Sequence, residues 1–303
     1  MATMNRSVFV VALIFLAAAT GSVRGVRLPT SAPIVVSGAT AGSQADRGPQ
    51  SPDRTSLITA FGAVDKLFTD FATENHVPGA AWGIVIGREL LHVRTIGFRE
   101  LGSKSPVGRD SVFRIASMTK SFTAMSILKL RDEGKLSLDD PAERHVPELK
   151  TLAYPTSDSP RITIRHLLSH AAGFPEDNPW GDQQLADSEE QLSQMLRAGI
   201  PFSNAPGIAY EYSNYGFAIL GRIVANVSKT KYGDYVAANI LKPLGMTSTT
   251  LEPDRVPSHA LAHGYRWEDA QWKEEPLLSN GSFGSMGGML TSVDDLKRPG
   301  TGP

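Results

Sequence analysis

Ser111-Val112-Phe113-Arg114-Ile115-Ala116-Ser117-Met118-Thr119-Lys120-Ser121-Phe122-Thr123-Ala124 is the stretch on which the fold reading turns. A short apolar approach runs into a strong helix that carries Ser117 and Lys120 at its start. Positions three apart share a helical face, so the Lys120 amine can approach the Ser117 oxygen. The unpaired amides and positive dipole end of a first turn favour an anion developing there. A weak alcohol in that position can become a nucleophile.

Ser-x-x-Lys occurs three times, as Ser117/Lys120, Ser126/Lys129 and Ser228/Lys231, and only context separates them. Ser126 falls inside the apolar-periodic run of Met125, Leu128 and Leu130, away from any terminus. Ser228/Lys231 lies in a polar break after a helix. Only Ser117 opens a helix. The plainer alternative is that Ser117 is an N-cap, the ordinary use of serine at a helix start, and the tetrapeptide alone does not choose between the two.

With 303 residues, 41% apolar and 20% charged, the chain can bury a substantial core as one large or two small domains. A formal net charge of −1 gives no basic footprint for nucleic acid, so a nucleic-acid partner is disfavoured. Met1 to Arg6 supplies a short cationic start, residues 8–19 are apolar, and Ala17, Ala18, Ala19, Gly21 and Ser22 suit a signal-peptidase site. Residues 1–25 therefore read as an export signal, which predicts a secreted or periplasmic protein with no stable membrane anchor after cleavage. The apolar run is shorter than the roughly 20 residues a membrane span takes. The absence of cysteine excludes disulfides, lipobox lipidation and thiolate metal sites.

Residues 26–54 are rich in Pro, Ser, Gly, Ala and Thr and read as a flexible linker. Thr55 or Ser56 then caps a helix whose stripe is Leu57, Phe61, Val64, Phe68 and Phe71, ending before Pro78-Gly79. Residues 80–86 and 90–97 read as a hairpin of two mostly buried strands on which that helix packs. The helix from Ser117 to Glu133 stops at Gly134, and Thr163 caps a short helix through Ser169. Residues 173–187 resemble a surface loop overhanging a cleft, with Trp180 as a packing residue. Residues 217–227 and 232–241 read as two helices before the stop Pro243-Leu244-Gly245-Met246. Residues 281–288 are glycine-dense, and Ser292 caps a final helix to Leu296.

A second chemical feature is Tyr210-Glu211-Tyr212-Ser213-Asn214-Tyr215-Gly216, a polar, aromatic turn before an apolar helix. A phenol beside an ammonium loses its proton more easily and can serve as a general base. A carboxamide two residues on can hold a lysine or a substrate amide. A loop tyrosine and a turn asparagine are the plainer alternative.

Taken with Ser117 and Lys120, this turn resembles the serine β-lactamase and penicillin-binding protein superfamily, in particular the branch of class C β-lactamases, D-alanyl-D-alanine carboxypeptidases and related esterases. The resemblance runs over residues 55–296. It includes Val77-Pro78-Gly79, Phe113-Arg114-Ile115-Ala116, Leu138-Asp139-Asp140-Pro141, Leu167-Leu168-Ser169-His170-Ala171-Ala172-Gly173, Pro243-Leu244-Gly245-Met246 and Gly287-Gly288-Met289-Leu290-Thr291-Ser292, in that order.

It implies an α+β fold, an α/β sandwich plus a helical region, in which helices flank an antiparallel sheet. It implies Ser117 as the acylated nucleophile, Lys120 as its proton partner and Tyr212 as the base, with Asn214 orienting the substrate amide; the base is assigned differently across Ser-x-x-Lys families. The Ser117 amide would supply half of an oxyanion hole. No metal or cofactor is implied.

The family's third motif, a basic residue or histidine followed by a small residue and glycine on a late strand, has no counterpart. Arg298-Pro299-Gly300 matches its letters but follows Asp294-Asp295-Leu296 too closely, and its proline lacks an amide proton. The expectation is a hydrolase domain over residues 55–303 that is truncated at its C-terminal end, with the late strands missing. The reaction expected is hydrolysis through an acyl-enzyme of a β-lactam, a D-Ala-D-Ala peptide or a small ester, so the partner is a small-molecule or peptidoglycan-peptide substrate. The alternative is a non-catalytic or crippled member that keeps the cleft as a binding module, or a truncated gene product. His166 and His170, four apart on one helix face, lack a His-Glu-x-x-His pattern and a third ligand and read as structural. There is no Gly-x-Ser-x-Gly elbow and no glycine-rich nucleotide loop.

Overall fold

The structure, a computed structural model, describes residues 10–16, 54–86, 89–177 and 182–296. Strand β1 (Val10–Leu16) is followed by helix α1 (Arg54–Glu74) and strands β2 (Gly79–Ile86), β3 (Glu89–Glu100) and β4 (Ser105–Pro106). The four strands form one antiparallel sheet in the order β1-β2-β3-β4, with Val10 opposite Ile86 and Leu16 opposite Ala80. The rest of the apolar run at 8–19, the cleavage region and nearly all of the expected linker lie outside the described residues.

The expected hairpin is present, but its strands differ in burial. Strand β2 is buried through Ala80, Ala81, Trp82, Ile84 and Val85, whereas β3 is half-buried, with Arg94 and Phe98 exposed. One face of β3 meets solvent, so the expectation of two mostly buried strands fails for the second. Gly97, at φ 66°, lets the strands cross closely, because a Cβ there would lie 2.1 Å from the Pro78 carbonyl oxygen.

Helix α1 packs on this sheet as predicted, through the expected Phe61 and Phe68 but with Asp65 and Ala72 inward in place of Val64 and Phe71. Phe61 and Ala72 are buried, Phe61 stacks on His92 at 4.9 Å and Phe68 meets Trp82 at 5.2 Å. The inward stripe at helical spacing is therefore 61, 65, 68 and 72. Phe71, expected on it, is 40% exposed. Asp65 faces the sheet instead and accepts the Trp82 indole N–H at 2.9 Å, with His92 Nε2 at 2.8 Å.

The chain then forms β5 (Phe113–Arg114), a 3-10 turn (Ala116–Met118), α2 (Thr119–Asp132), α3 (Ile164–Leu168), α4 (Glu189–Ala198) and α5 (Asn214–Ser228). Helix α6 (Tyr232–Val236) continues through a wider π turn (Ala237–Leu241) into α7 (Lys242–Leu244), which stops at Gly245 in the left-handed region. A hairpin of β6 (Gly264–Glu268) and β7 (Gln271–Glu275) precedes α8 (Gly284–Gly287), β8 (Leu290–Thr291) and α9 (Val293–Leu296). Strand β8 pairs with β5, Thr291 opposite Phe113. Thr163 caps α3, and Ser292 Oγ accepts the Asp295 amide at 3.3 Å at the start of α9, as expected of both. Among the described residues no helix is long and apolar enough to cross a membrane.

Helix α2 lies between two apolar cores. On one side Ile127 and Leu130 join Ile164, Leu167, Phe217, Ile219 and Leu220. On the other Phe122 joins Phe113, Ile115, Val236, Ile240 and Met289. A helix walled on both flanks must satisfy its buried hydroxyls internally. Thr123 Oγ1 donates to the Ser285 carbonyl at 2.6 Å, Ser126 Oγ to the Phe122 carbonyl at 2.9 Å, and Thr119 Oγ1 accepts the Met289 amide at 3.1 Å.

Candidate active site

The site starts with a backbone irregularity. Ala116 sits at φ 44°, a left-handed conformation that costs an L-residue on the order of 1–2 kcal/mol. It is held by its neighbours: the Ile115 amide donates to the Met289 carbonyl at 2.9 Å and the Met118 amide to the Ile115 carbonyl at 3.1 Å. The reversal takes the chain from β5 into α2 and leaves Ser117 exposed while Lys120 is buried. Ser117 therefore does not open the α-helix, as the sequence suggested; it lies in the 3-10 turn just before it. No side-chain cap bond is made at either helix start, so the N-cap alternative for Ser117 does not hold.

Lys120 is 7% exposed and donates to Ser117 Oγ at 3.2 Å, Asn214 Oδ1 at 2.7 Å and the Met286 carbonyl at 2.8 Å. Its ammonium also lies 4.8 Å from the centre of the Tyr212 ring, close enough for a cation–π attraction. The Tyr212 hydroxyl is 2.6 Å from Ser117 Oγ. The four residues singled out in the sequence thus meet at one point. Asn214 is 2% exposed, and its Nδ2 is buried without a hydrogen-bond partner among the described residues. An amine, a phenol and an alcohol in mutual contact can pass a proton and activate the alcohol.

Three further residues build the site, and sequence reasoning gave them no part in it. Asp177 is 8% exposed and caps α5: it accepts the Asn214 amide at 2.6 Å, the Tyr215 amide at 2.8 Å and the Ser213 hydroxyl at 3.3 Å. A carboxylate on the free amides of a helix start is favoured by both hydrogen bonding and the dipole. Asp177→Ala is expected to destabilise the fold by about 2–4 kcal/mol, from the lost cap and the stranded amides. A urea midpoint unchanged from wild type would contradict this.

The sequence places His170 beside His166 on one helix face. Helix α3 ends at Leu168, however, and His170 lies beyond it at φ 55°. His166 closes a capping box with Thr163. The His170 ring stacks on Tyr212 at 4.7 Å, and its Nδ1 accepts the Ser213 amide at 3.1 Å. Among the described residues no group of three His, Asp or Glu is placed to hold a metal.

Arg114 is the third. It donates to Asn280 Oδ1 at 2.8 Å and to the Leu278 carbonyl, which ties the segment bearing Met286 to β5. Burial pushes its guanidinium down to about 10, so it stays charged at neutral pH. Beside it a cavity of about 190 Å³ is lined by Phe113, Ala116, Leu185, Leu278, Met286 and Gly287. Opposite, Glu211 straps the loops together, accepting the Glu176 amide at 2.9 Å, Asn204 Nδ2 at 3.1 Å and the Ser203 hydroxyl. The Ser203 bond is the main reason its carboxyl is held below the usual range. Trp180 and the Arg298-Pro299-Gly300 letters lie outside the described residues.

This constellation on a β-lactamase/transpeptidase-like α+β fold agrees with sequence comparison: the chain belongs to the beta-lactamase family, whose pattern it matches over residues 64–300. Among curated relatives, Protein flp of Staphylococcus aureus strain N315 is 32% identical over 240 residues, which is 77% of this chain and 47% of that protein. The chain thus spans about half the length of the relative. The octameric penicillin-binding protein homologue from Pyrococcus abyssi superposes with a TM-score of 0.68 at 27% identity, covering 78% of this chain and 55% of that one. A class C beta-lactamase shares the fold at a TM-score of 0.65 and 24% identity, covering 80% and 63%.

Proposed function

We propose that the protein is an exported serine hydrolase that works through an acyl-enzyme on an amide or ester carbonyl. The observation that carries this reading is the contact of Ser117 Oγ with both the Tyr212 hydroxyl, at 2.6 Å, and the Lys120 ammonium, at 3.2 Å. In the proposed cycle Tyr212 takes the Ser117 proton as the oxygen bonds to the substrate carbonyl carbon. Lys120 favours the phenolate form of Tyr212 that accepts this proton, and the Ser117 amide donates to the oxyanion. Collapse breaks the bond to the leaving group, which receives the proton from Tyr212. A water molecule then gives a proton to Tyr212 as its oxygen bonds to the ester carbon; the bond to Ser117 Oγ breaks, the departing oxygen takes that proton back from Tyr212, and the acid is released. Asn214, whose buried Nδ2 has no hydrogen-bond partner among the described residues, is assigned the role of orienting the substrate amide.

A β-lactam, a D-Ala-D-Ala peptide and a small ester all offer the required carbonyl. Export rests on the cationic start and apolar run at residues 1–25 of the sequence; in the uncleaved chain Val10–Leu16 of that run pair with β2 as β1. The reading is tested by incubating the purified protein with a fluorescent penicillin and, separately, a fluorophosphonate. The expected result is a covalent adduct on the peptide containing Ser117. Folded protein that takes neither probe would instead be a non-catalytic binding module.

A further inference from the structure

We propose that His170 is a positioning residue that holds the Tyr212 phenol against Ser117 only while its imidazole is neutral, so that its protonation turns the site off; this rests on the hydrolase reading above. His170 grips the residues on both sides of Tyr212. The Glu211 amide donates to the His170 carbonyl at 2.8 Å and the Ser213 amide donates to His170 Nδ1 at 3.1 Å. Between these two tethers the imidazole and phenol rings stack, with 27° between their planes.

A backbone amide can only donate, so Nδ1 must present a lone pair and the ring proton must sit on Nε2. Protonating Nδ1 would set two donors against each other and release the Ser213 tether. The residue is itself held in place: His170 keeps its left-handed φ of 55° while its amide donates to the Leu167 carbonyl at 3.3 Å and the Ala171 amide to the His166 carbonyl at 2.8 Å. Such strain persists only where surrounding bonds over-determine it.

Charged and titratable groups face the imidazole from several elements. Lys120 of α2 opposes its protonation and Asp177, in the loop that follows His170, favours it. The phenols of Tyr210 and Tyr212 flank it, and α5 contributes the uncharged Phe217. Burial, the largest effect, and Lys120 together prevail, holding the imidazole below its ordinary value of 6.5. The sign follows: the unfolded chain binds this proton more readily than the native one. The grip is therefore complete at neutral pH and is lost as the pH falls through the depressed native value.

The test compares the rate of fluorophosphonate labelling between pH 4.5 and 8 in wild type and His170→Asn. Asparagine tolerates the left-handed backbone and keeps an acceptor, but it neither stacks nor titrates. Wild type should lose about tenfold in rate per pH unit below the His170 midpoint. His170→Asn should be about tenfold slower at pH 7.5 and lack that acid limb. A parallel NMR titration of wild type needs no activity: the Ser213 amide and Tyr212 ring signals should move with the imidazole nitrogens, at one midpoint. The inference is overturned if those signals stay fixed while His170 titrates, or if His170→Asn keeps the wild-type limb. If the probe labels neither protein, the hydrolase reading fails and the NMR titration still decides the grip. It decides equally if His170→Asn does not fold.

Discussion

Ser117→Ala is expected to abolish covalent labelling and to lower ester or β-lactam turnover by at least about 10³-fold, because no second nucleophile can replace the lost oxygen. The fold should be nearly untouched. Ser117 is exposed, and Lys120 keeps its bonds to Asn214 Oδ1 and the Met286 carbonyl when the hydroxyl is gone. The change in unfolding free energy should stay within about 0.5 kcal/mol, as for surface substitutions generally. Intact-mass analysis after probe treatment and a urea titration read the two outcomes separately. A Ser117→Ala protein that still turns over at the wild-type rate would remove the nucleophile from the proposed cycle.

Lys120→Ala should cost activity on the same scale and stability as well. The ammonium serves three acceptors at once, and its loss leaves Asn214 Oδ1 and the Met286 carbonyl without that donor in a buried setting. Each buried polar group left unsatisfied costs about 1–3 kcal/mol. Arginine is not expected to rescue the variant, since a planar fork cannot replace a compact three-donor head in the same space. Residues that act as a unit are not additive in catalysis. The Ser117→Ala/Lys120→Ala double variant should therefore be no slower than either single variant, while its stability should match that of Lys120→Ala. Wild-type labelling by Lys120→Ala, or a rate loss that multiplies in the double variant, would contradict a shared role.

The site residues legible in the sequence are those whose signal is local. Ser117 and Lys120 stand three residues apart, and Tyr212 and Asn214 flank one helix start, so each pair forms a short pattern that the family resemblance singles out. Asp177 caps a helix that begins 37 residues later, and no short pattern announces a cap supplied from that distance. His170 is hidden for a different reason. It occupies the left-handed position just past α3, where a chain usually has glycine, so the sequence reads as a helix running further than it does.

The same concealment recurs. Ala116 turns the chain before Ser117, and Asp269 and Ala270, at φ 53° and 58°, turn the β6–β7 hairpin without the Asn-Gly or Asp-Gly pair that would flag it. Helix α4 is different: Ser188 and Gln191 form a capping box that stands in the sequence. The acidic, proline-bearing stretch before it masks that signal, because it has the composition of loop throughout.

The position of α2 between two cores bears on any attempt to transplant this chemistry. A Ser-x-x-Lys tetrapeptide grafted onto the first turn of a foreign helix would bring the alcohol and the amine but neither flank. It would lack the carbonyl of Met286 on one side and the asparagine and phenol on the other, which arrive on segments separated from it by 94 to 166 residues of chain. What a donor scaffold must reproduce is the sandwiching of one helix by two independent apolar walls, and in this chain the unit that does so reaches from β5 to β8.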